Sequence, residues 1–219
     1  STGNLFVDYI PDSLRILDQF VLWKMVGEGK KTPCCQQGVP VGYADELSWK
    51  SFAQASSIAS EVDDIGLGFS LRKDGTQVKR KGVTWNLCVL DFDGFAYDGD
   101  SFQLDENVDE FLKELKTYAE VSPSCTGFKA FFWTDKGPAK KSKVKFGPSK
   151  FAERFPDVRK YQHREIEVFF QGYFMTVTGD RLEDWEDLAF IPEERYDSLM
   201  TKILRWGNET GGANLEKLK

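Results

Sequence analysis

Short apolar runs separated by polar turns dominate the first two thirds of the chain. Such runs are typical of core strands, and they lie at residues 20–25, 65–71, 87–92 and 128–133. Residues 73–82 are polar and predict a turn, and the turn-rich residues 27–42 predict a hairpin or loop. Two later runs, 165–170 and 174–178, predict a hairpin around Gln171 and Gly172.

Helical spacing of apolar residues appears in several segments. Residues 105–118 predict the clearest helix, because its apolar positions follow the i, i+3, i+4, i+7 rule at Val108, Phe111, Leu112 and Leu115. Residues 48–60 predict another helix, and a short one begins near Asp12 or Ser13. After Arg181 the chain is acidic and helical, with an apolar stripe at Tyr196, Leu199, Ile203 and Trp206. Strands and helices alternate without repeats, which predicts a mixed α+β fold.

The composition favours a folded protein with a sizeable core. Of 219 residues, 41% are hydrophobic, including 18 Phe and 6 Trp, which excludes a disordered acidic tail. No apolar run approaches the roughly 20 residues of a membrane-spanning helix, and no secretory signal is visible. We therefore expect a cytoplasmic protein without a membrane partner.

The cysteine and histidine content limits the chemistry. The four cysteines lack the two-to-four-residue separation typical of half a zinc site, which predicts reduced thiols and no zinc; they are Cys34, Cys35, Cys88 and Cys125. Because His163 is the only histidine, a multi-histidine metal site cannot form. If the protein is an enzyme, carboxylates and lysines must supply most of its catalytic groups.

The charge distribution changes what the net charge implies. With 29 basic and 35 acidic residues the chain carries −6, which counts against a nucleic-acid partner because phosphate binding depends on Lys and Arg. However, residues 136–150 contain six lysines and no acid, and residues 79–81 form a smaller basic cluster. Each basic segment is either a solvated loop or a phosphate-binding surface.

Two carboxylates at the end of an apolar run are the most informative feature. Asp91 and Asp93 lie at positions i and i+2, so in a strand both side chains project from the same face. Their mutual repulsion is relieved by a hard divalent cation, for which carboxylate oxygens are the preferred ligands. The alternative is a solvent-exposed strand end or turn.

A third acid lies inside another apolar run. Glu167 would join the first two carboxylates if its strand neighbours theirs, and three acids around divalent ions are what nucleotidyl transfer requires. In the alternative, Glu167 simply points outward while Ile166, Val168 and Phe170 face the core.

A small-residue turn at residues 122–129 lies between these acidic elements. Exposed amides and hydroxyls in a tight turn can bind phosphate oxygens, and Lys129 adds a positive charge. A plain hairpin turn is the other interpretation.

With these three elements in order, the chain resembles the archaeo-eukaryotic primase superfamily, specifically the primase-polymerase domains of phages and plasmids. The matching motifs read LCVLDFDG (87–94), YAEVSPSCTGFKAFF (118–132) and IEVFFQGYFMTVTGDRL (166–182). Flanking segments at 20–25, 30–33, 44–55 and 66–71 are also similar to the family. The resemblance covers residues 10–182.

The resemblance implies a fold, an activity and a set of partners. The fold would be α+β, with a modified RNA-recognition-type (RRM-like) antiparallel catalytic sheet packed beside a smaller α/β unit. Residues 1–182 would form the catalytic domain and residues 183–219 a helical C-terminal extension. The domain would synthesise and extend primers from NTPs or dNTPs on a single-stranded DNA template. The C-terminal extension would be either a packing cap or a link to a helicase module or protein.

The resemblance also implies site residues. Two Mg²⁺ or Mn²⁺ ions would be held by Asp91, Asp93 and Glu167. The incoming triphosphate would contact Ser124, Thr126, Gly127 and Lys129. Template or primer phosphates would follow the lysine-rich segment at Lys140, Lys141, Lys143 and Lys145.

Two positions depart from the family pattern. Lys129 stands where the family has a phosphate-contacting histidine, and lysine is a flexible charge that does not change protonation readily near neutral pH. Tyr173 stands where relatives often have arginine. We interpret His163 as structural, because it lies too early in the third motif to replace the missing histidine.

Two other functions remain open from the sequence. One is a catalytically impaired relative that binds single-stranded nucleic acid, with bases stacked on Phe169 or Tyr173. The other is a glycosyltransferase, in which a D-x-D motif also binds a metal–nucleotide complex.

Overall fold

The computed structural model describes residues 3–105 and 107–214 of the chain. Its helices are α1 (Asp12–Arg15), α2 (Phe52–Glu61), α3 (Val108–Leu115), α4 (Arg159–Gln162) and α5 (Glu193–Glu209). Its first strands are β1 (Phe20–Val26), β2 (Lys30–Cys34), β3 (Gly66–Ser70), β4 (Gln77–Arg80), β5 (Val83–Asp93), β6 (Ala96–Asp98) and β7 (Phe102–Leu104). The later strands are β8 (Ala119–Val121), β9 (Gly127–Thr134), β10 (Ser142–Lys145), β11 (Glu165–Phe169), β12 (Phe174–Val177), β13 (Arg181–Leu182) and β14 (Ala189–Ile191).

Two sheets form the framework of the molecule. The large sheet has the order β10-β11-β5-β9-β8-β13, all antiparallel; β4 also pairs with β5, and β14 adds to β9 in parallel. The small sheet is antiparallel with the order β12-β3-β1-β2, and β6 and β7 form a separate hairpin. Among the described residues, no helix is long and apolar enough to cross a membrane.

The central strand β5 is buried on both faces, which explains its almost continuous apolar sequence. On one face Cys88, Leu90 and Phe92 pack in a core with helices α3 and α5. On the other face Leu87 and Val89 pack in a second core with the small sheet and helix α2. Side chains alternate along a strand, so the aspartates on either side of Phe92 face the side of the small sheet.

The predicted fold class is confirmed as a mixed α/β chain with mostly antiparallel sheets and a C-terminal helix. The predicted strands correspond to β1, β3, β5 and β9, and the predicted helices to α1, α2, α3 and α5. The RRM-like arrangement and the domain boundary at residue 182 stay predictions. Helix α5 contributes Leu199 and Ile203 to the core of the large sheet.

The predicted hairpin at residues 165–178 is wrong. β11 pairs with β5 and β10 in the large sheet, whereas β12 pairs with β3 in the small sheet. The turn around Gly172 therefore carries the chain from one sheet to the other, and it is held by a hydrogen bond from the Leu71 amide to the Tyr173 carbonyl. A turn signal marks where a strand ends but does not identify the partner of the next strand.

Two polar segments also contain strands. Residues 73–82, predicted as a turn, include β4, whose exposed Lys79 and Arg80 pair along β5. The lysine-rich segment includes the edge strand β10, in which Val144 is buried and Lys143 and Lys145 are exposed. Charged residues are common on edge strands because they oppose further strand pairing.

Candidate metal and nucleotide site

The three carboxylates singled out in the sequence lie together on the large sheet. Glu167 of β11 is the cross-strand partner of Asp91 of β5, and Asp93 is two residues farther along β5. One carboxylate oxygen from each residue lies within 4.8 Å of the others. Ile166 and Val168 face the opposite core, so Glu167 projects from the face that both aspartates share.

These carboxylates belong to a row of charged residues that crosses the whole large sheet. Directly opposite residues on antiparallel strands lie on the same face. The row runs through Lys143, Glu167, Asp91, Lys129, Glu120 and Arg181. The two adjacent acids, Glu167 and Asp91, are the point at which the alternation of sign breaks, and this is where an additional cation is electrostatically favoured.

Each carboxylate of the site has a lysine beside it. The Nζ of Lys141 lies 2.5 Å from Glu167 Oε1, and the Nζ of Lys160 lies 2.6 Å from Asp93 Oδ1. Lys129 is more distant, with its Nζ 3.7 Å from Asp91 Oδ1. Instead, the buried Lys129 ammonium donates hydrogen bonds to Thr176 Oγ1 at 2.9 Å and Ser122 Oγ at 3.3 Å.

Asp91 retains an unsatisfied oxygen. Its Oδ1 is buried and accepts no hydrogen bond from any described residue, and 3.7 Å to Lys129 is too long for one. A buried acceptor without a partner is costly. A divalent cation that prefers oxygen ligands would satisfy it, so the residues present fit Mg²⁺ or Mn²⁺.

Burial shifts the pKa of several groups in the site. Burial raises the pKa of Asp91, and Lys129 only partly opposes this effect. Burial likewise raises the pKa of Glu167 against the influence of Lys141. Lys31, which reaches the site from β2 of the small sheet, has its pKa lowered to about 8 by burial and by the nearby Lys129 and Lys160.

A cavity of about 210 Å³ adjoins the carboxylates. Its charged lining consists of Asp91, Lys31, Lys129 and Lys141, and its apolar lining comes mainly from Phe169, Tyr173, Phe174 and Met175. Ligand sites usually measure about 300–1,000 Å³. This cavity is smaller than that range, and its three lysines favour an anionic group.

The small-residue turn lies beside the end of β5. The hydroxyls of Ser124 and Thr126 are 2.9 Å apart, and the Thr126 carbonyl accepts hydrogen bonds from the amides of Gly94 and Ala96. Gly127 is buried and pairs with Asp93. A Cβ at Gly127 would collide with the Phe92 carbonyl oxygen, so strand pairing alone accounts for this glycine.

Gly94 positions the lysine that contacts Asp93. Its φ is +87°, which favours glycine, and a Cβ there would collide with the Lys160 carbonyl oxygen. The backbone of α4 can therefore approach the end of β5 closely enough for Lys160 to reach the Asp93 carboxylate.

Sequence reasoning missed Lys31 and Lys160 as members of the site. Lys31 lies in a flanking segment that resembles the family, but no local pattern singled out Lys160. Of the predicted nucleic-acid-binding lysines, Lys141 pairs with Glu167, and the Nζ of Lys143 lies 3.2 Å from Glu165 Oε2. The other two, Lys140 and Lys145, are exposed.

The aromatic residues proposed for base stacking differ in accessibility. Phe169 is 5% exposed and belongs to the core between the sheets, so it is not free to stack on a base. Tyr173 is 38% exposed and its ring is parallel to that of Tyr43 at a centroid distance of 6.5 Å. Lys141 Nζ lies 4.8 Å and 5.3 Å from the centroids of the Phe169 and Tyr173 rings.

The pairing of lysines with carboxylates leads to a prediction about metal affinity. Lys160→Gln is expected to strengthen Mn²⁺ binding about two- to fivefold, because a partly exposed ion pair contributes up to roughly 1 kcal/mol that metal binding must replace. Titration of Mn²⁺ followed by electron paramagnetic resonance, without nucleotide, measures this affinity. Lys113→Gln, which removes an exposed partner of Asp109, is the control; equal affinities in all three proteins would contradict the prediction.

The chain is similar in sequence to a DNA primase-polymerase of Nitratiruptor phage NrS-1. The two are 25% identical over 177 residues, which make up 78% of this chain and 20% of the phage protein. The chain thus spans about a fifth of the length of this relative. No family model matches the chain. The similarity supports a distant relationship to a primase-polymerase, and the superfamily assignment stays a prediction.

Proposed function

We propose that the chain is a metal-dependent DNA primase-polymerase domain that adds nucleotides to a 3′-hydroxyl along a single-stranded DNA template. The observation that carries this proposal is the convergence of Asp91, Asp93 and Glu167 on one sheet face, in a chain similar to a phage primase-polymerase. Residues 1–182 would form the catalytic domain, with residues 183–219 as a helical extension.

The three carboxylates would hold the divalent ions. A bound pair of Mg²⁺ or Mn²⁺ ions would lower the pKa of the attacking hydroxyl and stabilise charge on the departing pyrophosphate. Asp91 lies between Asp93 and Glu167 in this arrangement and supplies the buried Oδ1. Asp91 would therefore be central to metal binding.

The lysines around the carboxylates would bind the triphosphate. Lys31 and Lys129 line the same cavity as Asp91, and an ammonium group is a strong donor to phosphate oxygens. The exposed Ser124 and the neighbouring Thr126 lie just before the start of β9, where Gly127 pairs with Asp93, and they offer hydroxyl donors. The triphosphate would thus lie across the end of β5.

A templated incorporation assay tests this function. The reaction contains a primed single-stranded template, NTPs or dNTPs in separate reactions, and Mg²⁺ or Mn²⁺. We expect extension products with at least one combination and none in the presence of a chelator. Absence of extension under every combination would overturn the proposal.

A second candidate function is binding of single-stranded nucleic acid without catalysis. It is favoured by the replacement of the family's histidine with Lys129, whose ammonium is held by Ser122 and Thr176. Fluorescence anisotropy of a labelled single strand, measured beside the incorporation assay, separates the two candidates. Binding without incorporation under either metal would favour the second.

Substitution of Lys129 tests its contribution to nucleotide binding. Lys129→Met is expected to raise the KM for nucleotide about ten- to hundredfold, because a charged hydrogen bond contributes about 1.5–3 kcal/mol. Lys129→His is expected to recover most of this loss, since histidine can also donate to phosphate. Steady-state incorporation kinetics measure both variants, and an unchanged KM in Lys129→Met would exclude a role in nucleotide binding.

A further inference from the structure

A second basic cleft lies at the β10 edge of the large sheet. Its volume is about 590 Å³, and it is bounded by β10, the following turn, α4 and residues 211–213. The basic and titratable residues that line it are Lys143, Lys145, Arg159, His163, Arg164 and Glu165. Five of these six side chains can carry positive charge, so the cleft favours an anionic ligand.

Part of this positive charge is already neutralised. Lys143 pairs with Glu165, and the buried Arg164 pairs with Asp105. By contrast, Lys145 and Arg159 are exposed, and neither forms an ion pair with any other described residue. His163, which the sequence led us to interpret as structural, is also exposed and follows α4 directly. These three side chains are the available donors of the cleft.

The cleft lies beside the carboxylate site on the large sheet. Glu165, at its border, is the cross-strand partner of both Lys145 and Asp93, and neighbouring strands are about 4.8 Å apart. Helix α4 contributes to both places, because Lys160 contacts Asp93 while Arg159 lines the cleft. A single DNA strand whose end lies at the carboxylates can therefore extend into the cleft.

We propose that this cleft binds phosphate groups of a single DNA strand that extends from the carboxylate site, with Lys145, Arg159 and His163 as donors. The proposal rests on the proposed function for the identity of the strand. It adds Arg159 and His163 to the nucleic-acid-binding residues and separates them from Lys141, which belongs to the carboxylate site.

The test compares the wild type with the double variant Lys145→Ala/Arg159→Ala. Binding of a fluorescently labelled single-stranded oligonucleotide is measured by anisotropy between 0.05 and about 0.3 M salt. Each phosphate contact to a single strand contributes about 0.7 to the slope of log K against log[salt]. The double variant should therefore lose about 1.4 from the slope, and about 25-fold in affinity at about 0.1 M salt.

Lys202→Ala/Arg205→Ala is the matched control. It removes the same two residue types from the outer face of α5, where they pair with Glu114 and Glu209. Its slope should stay within about 0.3 of the wild-type value. Thermal unfolding of both double variants checks that the fold is retained. Equal losses in both, or no loss in the cleft variant, would overturn the proposal.

Two further arms separate the cleft from the carboxylate site. Free inorganic triphosphate at low millimolar concentration should compete weakly with the oligonucleotide, because the cleft is expected to bind several phosphates of one strand. Complete competition would show a free-anion site and overturn the proposal.

Mn²⁺ affinity should be unchanged in the cleft variant. If the wild type binds the oligonucleotide through the cleft but incorporates no nucleotide, the proposed function fails and the cleft assignment stands.

Discussion

Asp91→Asn is expected to reduce metal-dependent nucleotide incorporation at least about a thousandfold. Metal stabilisation of charge in the transition state contributes several kcal/mol, and each 1.4 kcal/mol corresponds to a factor of ten. Asp91 neighbours both other carboxylates, and its buried Oδ1 has no hydrogen-bond donor among the described residues. An amide at this position keeps the shape of the side chain but cannot supply the negative charge. Primer extension with Mg²⁺ and with Mn²⁺ measures the loss.

The same variant should not lose stability in metal-free buffer. Burial raises the pKa of Asp91, so the folded chain holds a proton at this site more tightly than the unfolded chain does. The stabilisation linked to that proton is present at low pH and is lost as pH rises through the folded pKa. At neutral pH the carboxylate is therefore unfavourable to folding. Without it the buried Lys129 ammonium keeps its hydrogen bonds to Ser122 and Thr176, so Asp91→Asn should melt at the same temperature as the wild type or higher.

The effect of Mn²⁺ on the melting temperature should then distinguish the wild type from Asp91→Asn. Saturating metal raises the melting temperature of any protein that binds it only when folded, so the wild type should shift upward and Asp91→Asn should not. Asp12→Asn, at an almost fully exposed position, is the control and should behave like the wild type. Full incorporation by Asp91→Asn would show that the carboxylates are not catalytic.

Asp105→Ala is expected to lower the free energy of unfolding by about 3–5 kcal/mol, which is typical when one partner of a buried ion pair is removed. Arg164 Nη1 donates to Asp105 Oδ2 at 2.7 Å, and the two side chains are only 6% and 2% exposed. Arg164 also donates from Nε to the Gly147 carbonyl and packs over the ring of Phe95. Loss of Asp105 leaves this buried guanidinium without its carboxylate.

Urea denaturation followed by tryptophan fluorescence measures the change. Asp109→Ala removes a carboxylate that pairs with Lys113 on the exposed face of α3, and its cost should stay below about 1 kcal/mol. Equal costs for the two variants would show that the Asp105–Arg164 pair is not an anchor between the start of β11 and the segment before α3.

The local patterns predicted the elements better than their partners. The alternation around Phe92 placed both aspartates on one face, and the apolar runs located β1, β3, β5 and β9. The adjacency of β11 and β5 was only a condition in the sequence argument, because strand pairing depends on contacts between distant segments. The same limit explains the mistaken hairpin, since β12 pairs with β3 rather than with β11.

The lysines of the site were harder to predict from the sequence than its carboxylates. Lys129 followed from its motif, but Lys160 reaches Asp93 only because Gly94 allows α4 to approach β5. Lys31 comes from the other sheet. The lysine-rich segment was predicted to form a single phosphate-binding surface. In the structure its lysines lie in different places: Lys141 contacts Glu167, whereas Lys145 lines the separate cleft.

The crossing of the chain at Gly172 has a consequence for how the protein folds. β3 is synthesised in the first half of the chain, but it needs β12 from the second half as its outer partner. Pairings between such distant segments form slowly because a long loop must close first. A chain truncated before Phe174 would leave β3 as an open edge and would lack the Met175 and Thr176 wall of the cavity. The cavity beside Asp91 is therefore completed only after Met175 and Thr176 have been synthesised.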